Sequence, residues 1–163
     1  VMIICGIDPG TQCTGYGILD LERDRSVYRE HGVIRPKSQD LDLRLKDIFL
    51  RITDILHEYQ PAEVAIETSF YATNAQTALK LGQVRGVIIL AVTLLDIPIF
   101  QYTPTEIKKA TCGYGHAEKD QISAMVHMLL SLPKGKITSQ DASDALAVSL
   151  CHVSSRRMKR LTA

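Results

Sequence analysis

The chain has 163 residues, 45% of them hydrophobic and 23% charged, which fits one domain of the usual ~100–200 residues with a core of its own. A formal net charge of +1 by itself argues against a nucleic-acid binder. No apolar run approaches the ~20 residues of a membrane-spanning helix, because the longest candidate, GVIILAVTLLDIPIF, is broken by Asp96 and Pro98.

In chain order, residues 2–7 are almost continuously apolar, which suits a strand buried on both faces. Asp8 ends that strand and opens a glycine-rich stretch, GIDPGTQCTGYG. A strand-capping turn and a cation-liganding carboxylate both fit this stretch taken alone. Residues 14–21 and 27–34 read as two further strands separated by DLERDR, so the first three strands form a meander. The period then changes. Leu41, Leu45, Ile48, Ile52, Leu56 and Tyr59 recur at spacings of three and four, an amphipathic helix of about five turns. EVAIE (63–67) is a short buried strand, residues 74–95 a long helix and IPIFQY (97–102) a last strand. TPTE starts a helix with Thr103 as N-cap, Pro104 at the first helical position and Glu106 closing a capping box. Two more helices are expected near 118–131 and 140–153.

A meander followed by helix–strand units predicts an α/β fold, a mixed five-stranded sheet with helices on both faces. It forms a single domain over residues 1–163, with the last ~8 residues a flexible basic tail. The four cysteines, Cys5, Cys13, Cys112 and Cys151, show no CxxC spacing, so reduced packing thiols in a cytoplasmic protein are expected. The small net charge hides an asymmetry. Residues 1–70 hold 8 basic and 12 acidic side chains, whereas residues 71–163 hold 11 and 6. Committing a few acids to metal ions would leave a basic surface.

Ligands of such sheets collect at the carboxyl ends of adjacent parallel strands. Asp8 and Glu67 both end strands that would lie side by side. In SQDASDALAVSL, Ser139 is the expected N-cap, and Asp141 and Asp144, three apart, share a helix face. Ala142, Ala145 and Ala147 would let that helix lie close on the sheet. Acids in a first helical turn often only complement the helix dipole. Four converging carboxylates are different, since like charges at ~4 Å repel by about 4 kcal/mol per pair at an effective dielectric of 20. Such a cluster persists with cations between its members, and an oxygen-only set suits Mg²⁺ or Mn²⁺.

Together GIDPGTQCTGYG, AIETSFYATNAQTALKLGQVRG, GYGHAEKDQI and DASDALA resemble, in order and over essentially the whole chain, the RuvC family of Holliday-junction resolvases. The resemblance implies an RNase H-like fold, a homodimer and Mg²⁺-dependent nicking of two opposed strands of a four-way DNA junction, in recombination and repair. It carries the catalytic, metal-holding carboxylates onto Asp8, Glu67, Asp141 and Asp144. It places basic residues near the scissile phosphate at Lys108 and Lys119, and a junction-centre aromatic at Phe70. Tyr71, beside it, is grouped with the DNA contacts without a role that the pattern supplies. The expected chemistry uses two ions about 3.5–4 Å apart to activate a water and steady the leaving 3′ oxygen, with Lys119 offsetting transition-state charge. Phosphate contacts are expected from the basic half, Lys80 and Arg85 among them. A RuvAB-type branch-migration complex is a further expected partner. Gly82 and Gly86, one turn apart in a nearly all-apolar helix, suit either a partner subunit or the protein's own sheet by spacing alone; the resemblance favours the dimer. The alternatives are a RuvX-type RNA-processing nuclease and a non-catalytic module that binds branched DNA.

Overall fold

The computed structural model describes residues 1–23, 25–69 and 73–162. Three strands, β1 (Met2–Asp8), β2 (Thr14–Glu22) and β3 (Arg25–Ile34), form the meander. Helix α1 (Leu41–Tyr59) leads to β4 (Glu63–Glu67), and α2 (Ala75–Thr93) leads to β5 (Ile99–Tyr102). Helices α3 (Pro104–Cys112), α4 (Lys119–Leu129) and α5 (Gln140–Thr162) follow. The sheet order is β3-β2-β1-β4-β5, with β1, β4 and β5 parallel and β2 antiparallel to both neighbours. This is the expected mixed five-stranded sheet.

The two-residue period of the strands sorts side chains to two cores. On one face Cys5, Ile7, Val64 and Ile66 pack with Ile48 and Ile52 of α1 and Val84 and Ile88 of α2. On the other, Ala65 and Leu19 pack with Ile107 of α3, Ile122 and Val126 of α4, and Leu146 of α5. Asp8 has the parity of Gly6, and Glu67 that of Ala65 and Glu63, so both acids fall on the α5 side. The β1–β4 register pairs Gly6 with Ala65 and Ile7 with Ile66. One step further, Asp8 and Glu67 therefore end neighbouring strands, which lie ~4.8 Å apart.

Helix α5 can rest on the sheet because the sheet gives way beneath it. A Cβ on Gly15 would lie 2.0 Å from the Asp141 carbonyl oxygen, and one on Gly6 would lie 2.4 Å from that of Ala145. Ala142, Ala145 and Ala147 are fully buried in the seam, as their size suggests. The Ser149 hydroxyl donates to the Gly17 carbonyl at 2.9 Å and fixes the helix along its axis.

The end of the chain departs from expectation. Helix α5 continues to Thr162, so the residues read as a flexible basic tail are helical. Buried His152 meets Glu63 at 2.6 Å and Tyr102 at 2.7 Å, Arg156 pairs with the same Glu63, and Lys159 stands 5.9 Å from the Phe100 ring centroid. Cations in a last helical turn also complement the helix dipole. Two helices start on the residues that spacing marked: Thr103 and Glu106 form the capping box of α3, and Ser139 accepts from the Ala142 amide at 3.4 Å. Among the described residues no helix is long and apolar enough to cross a membrane.

Candidate active site

At the carboxyl end of β1 and β4 lies a cleft of about 300 Å³ lined by Asp8, Glu67 and Asp144, with Lys108 and Lys119 opposite and Ile107 and Ile122 in its wall. Each group is delivered by a different element. The end of β4 is held by Thr68, whose amide and hydroxyl both donate to the Tyr102 carbonyl, at 2.8 and 3.2 Å. The α3 capping box sets the helix that carries Lys108. A second box, in which the Glu118 amide donates to Gln121 at 2.8 Å, starts α4 at Lys119.

The electrostatics are those of crowded acids. Asp8 has its carboxyl pushed well above the usual range, first by burial and then by repulsion from Glu67, Asp144 and Asp141, against a smaller opposing pull from Lys119. Burial and then Asp144 raise Glu67, while hydrogen bonds from Ser69 and Asp8 and the charge of Lys119 pull the other way. Burial likewise raises Asp144, opposed by the Gln140 amide at 2.9 Å and by Lys119 and Lys108. Crowded, buried carboxyls favour the protonated form, and a cation between them would favour the charged form instead.

The expected residues are distributed unevenly. Asp8, Glu67, Asp144, Lys108 and Lys119 come together. Asp141 lies within electrostatic range of Asp8 but does not line the cleft; its carboxylate takes a hydrogen bond from Cys13, whose thiol burial and this contact push up to about 11. Among the described residues no three His, Cys, Asp or Glu side chains form a ready-made metal cage. Lys80 is exposed on α2, and Arg85 donates to Gln101 at 2.7 Å; neither lines the cleft. Gly82 and Gly86 face open space, with nothing among the described residues within 4 Å of where a Cβ would stand, so they do not pack on their own sheet. Phe70 and Tyr71 lie outside the described residues. All four cysteines are free.

Sequence reasoning passed over Ser69, which reaches Glu67 at 3.4 Å, and Gln140, which steadies Asp144. A Gln four residues before an Asp on a helix was the available signal for the second. A larger cleft, about 470 Å³, opens near Arg25, Tyr28, Leu130 and Arg157, at the start of β3 and away from the carboxylates; among the described residues its lining holds no acid.

The family profile described as crossover junction endodeoxyribonuclease RuvC matches residues 4–152. The chain belongs to the RuvC family. A curated crossover junction endodeoxyribonuclease RuvC from Shewanella sp. (strain W3-18-1) is 46% identical over 155 residues, 95% of this chain and 88% of the relative. The RuvC of Shewanella sp. (strain MR-4) is 47% identical over 150 residues, 92% of this chain and 86% of the relative. Among solved structures, Thermus thermophilus RuvC in complex with a Holliday junction substrate superimposes with a TM-score of 0.89 at 30% identity, covering 98% of this chain and 97% of that one. The yeast mitochondrial Holliday junction resolvase shares the fold, with a TM-score of 0.74 at 14% identity over 97% of this chain and 80% of that one.

Proposed function

We propose that this RuvC-family chain is a divalent-cation-dependent endonuclease that resolves four-way DNA junctions by paired nicks in opposed strands. The observation that carries the reading is the cleft in which Asp8, Glu67 and Asp144 converge opposite Lys108 and Lys119. The likeness to the Thermus RuvC solved with a Holliday junction supports the substrate.

The donor set fits the cations. The cleft lining holds carboxylates and no His or Cys, which matches hard, oxygen-preferring Mg²⁺ or Mn²⁺. Mg²⁺ needs no complete protein cage, because it keeps several waters and shares its ligands with substrate phosphates. Asp8, Glu67 and Asp144 would hold two ions, with Asp141, within electrostatic range of Asp8, as the fourth carboxylate. When bound, the ions supply an activated water and charge stabilisation at the phosphate and the leaving oxygen. The protein's own part is positioning: strands β1 and β4 fix two carboxylates side by side, α5 brings the third over them, and Ile107 and Ile122 shield one wall from water. Lys119, at the first position of α4, offsets charge that develops on the phosphate, and Lys108 holds a neighbouring phosphate.

The working unit is a homodimer in this reading. Leu79, Leu90 and Leu94 are 64, 52 and 63% exposed, and with Gly82 and Gly86 they make a stripe at helical spacing along α2. Phe70 stacks on unpaired bases at the branch point, a RuvAB-type complex delivers the junction, and four free thiols suit a reducing cytoplasm. A module that only bound branched DNA would have no use for crowded acids that raise one another's pKa.

The test is a set of isosteric variants. Asp8→Asn, Glu67→Gln, Asp141→Asn and Asp144→Asn should each nearly abolish cleavage of a synthetic four-way junction in Mg²⁺ while leaving its binding intact. Robust cutting by two or more of them would overturn the assignment.

A further inference from the structure

A second basic cleft lies at the catalytic end of the sheet, on the flank away from Lys108 and Lys119, and it belongs to the acidic half of the chain. Arg35, Lys37 and Ser38 follow β3, and Leu43, Asp47 and Arg51 come from α1; together they line a depression of about 260 Å³. Three cations thus face one carboxylate. Among the described residues none of Arg35, Lys37 or Arg51 makes an ion pair, although elsewhere Arg29 and Arg156 do. An exposed group of unpaired cations in a concavity is the electrostatic footprint of a polyanion.

The cleft is fastened to the catalytic loop by one buried side chain. The Arg44 guanidinium donates to the Ser38 carbonyl at 2.9 Å, to the Thr11 carbonyl and, at 3.4 Å, to the Gln12 amide oxygen. Residues 11–12 belong to the loop that leaves Asp8. One side chain therefore ties the wall of the depression to the loop beside the carboxylates.

Sheet register gives the span. Asp8 pairs with Gly15, and Gly15 with Val33, so two strand spacings of ~4.8 Å put about 10 Å between Asp8 and Val33. Arg35 is two residues beyond Val33, so its backbone stands about 12 Å from that of Asp8.

We propose that Arg35, Lys37 and Arg51 form a phosphodiester-binding subsite that holds the DNA backbone a few nucleotides from the bond cut at Asp8 and Glu67. The ligand is a nucleic-acid backbone phosphate, read without regard to base. This inference rests on the reading of the cleft as a DNA-cutting site. It also shifts part of the phosphate binding away from the basic half of the chain, where composition alone put it.

The experiment combines protein and DNA changes. Junction binding by the full chain is followed by fluorescence anisotropy across a salt series for wild type, Arg35→Ala, Arg51→Ala and the triple variant with Lys37→Ala. Removing one phosphate-neutralising side chain should flatten the log–log salt slope by about one, and removing all three by about three. Junctions carrying one neutral methylphosphonate two to four nucleotides from the cut should bind wild type tenfold or more weakly at one position and cost the triple variant nothing further there. All three side chains are exposed, so a melting temperature within the error of wild type is expected and verifies folding. An unchanged salt slope, or an equal methylphosphonate penalty in wild type and variant, overturns the subsite while junction binding persists. Absence of junction binding by wild type overturns the functional reading beneath it.

Discussion

Gly15→Ala tests how closely the catalytic acids depend on the seam between α5 and the sheet. The added Cβ would lie 2.0 Å from the Asp141 carbonyl oxygen, where ordinary contact begins at 3.4 Å. The obstruction is backbone against backbone, so no rotamer change relieves it, and the two elements must separate by about 1.4 Å. Overpacking of this kind costs ~1–3 kcal/mol, and it moves Asp141 and Asp144 away from Asp8. A misplacement near 1 Å at a reacting centre can cost about 10²-fold in rate. Single-turnover cleavage of a four-way junction at saturating protein should therefore slow by about 100-fold, with binding by anisotropy unchanged. Ser149→Ala, which loses the bond to the Gly17 carbonyl without adding bulk, is the graded comparison and should cost about 1 kcal/mol of stability with little change in rate. Wild-type cleavage by Gly15→Ala at an unchanged melting temperature would refute the reasoning.

Asp8→Asn should stabilise the chain in chelator at neutral pH. Because the folded-state pKa of Asp8 is raised by burial and by its acidic neighbours, the folded chain holds that proton more tightly than the unfolded one. Its contribution is therefore full below the ordinary carboxylate pKa of ~3.9 and is lost as pH rises through the folded value. Thermal melts between pH 4 and 8 should show this slope in wild type and a flatter one in the variant; identical profiles would count against it. Glu63→Ala leaves buried His152 without its hydrogen-bond partner and Arg156 without its ion pair, which should cost ~1–3 kcal/mol in denaturant melts while cleavage per folded molecule persists; an unchanged midpoint would show that the network does not hold α5. Phe70→Ala should keep its melting temperature but lose junction resolution and distort the crossover less, as read by a fluorescent base analogue there. A loss of the ~3–5 kcal/mol typical of a truncated core phenylalanine, with cutting per folded molecule intact, would make Phe70 a packing residue.

The acids were legible in the sequence because strand ends and helix turns leave local marks. Asp8 and Glu67 close apolar runs, and Asp144 follows a recognisable N-cap at Ser139, so local patterning places two at strand ends and the third in the first turns of a helix. The sheet side of the seam was harder to see. Ala142, Ala145 and Ala147 announced a close approach, but Gly6 and Gly15 answer them from strands far away in sequence, and only the register brings small against small. The last turns of α5 were misread for a related reason. SSRRMKR looks like a solvated charge run, and what orders it is Glu63, some ninety residues earlier, together with the Phe100 ring. Summing charge by segment pointed to the half that holds Lys108 and Lys119, which do line the cleft, but it could not show that Arg35, Lys37 and Arg51, from the acidic half, line one depression after folding.

The most direct test of the central claim is to map where the wild-type chain cuts. A four-way junction with each strand end-labelled in turn is incubated beside matched duplex, single strand and structured RNA, in Mg²⁺ and in chelator, and every end is located to the nucleotide. The account predicts nicks at matching positions in one opposed pair of junction strands, in Mg²⁺ only, with the other substrates intact. Comparable cutting of duplex or RNA, unpaired nicks, or cutting in chelator would contradict it.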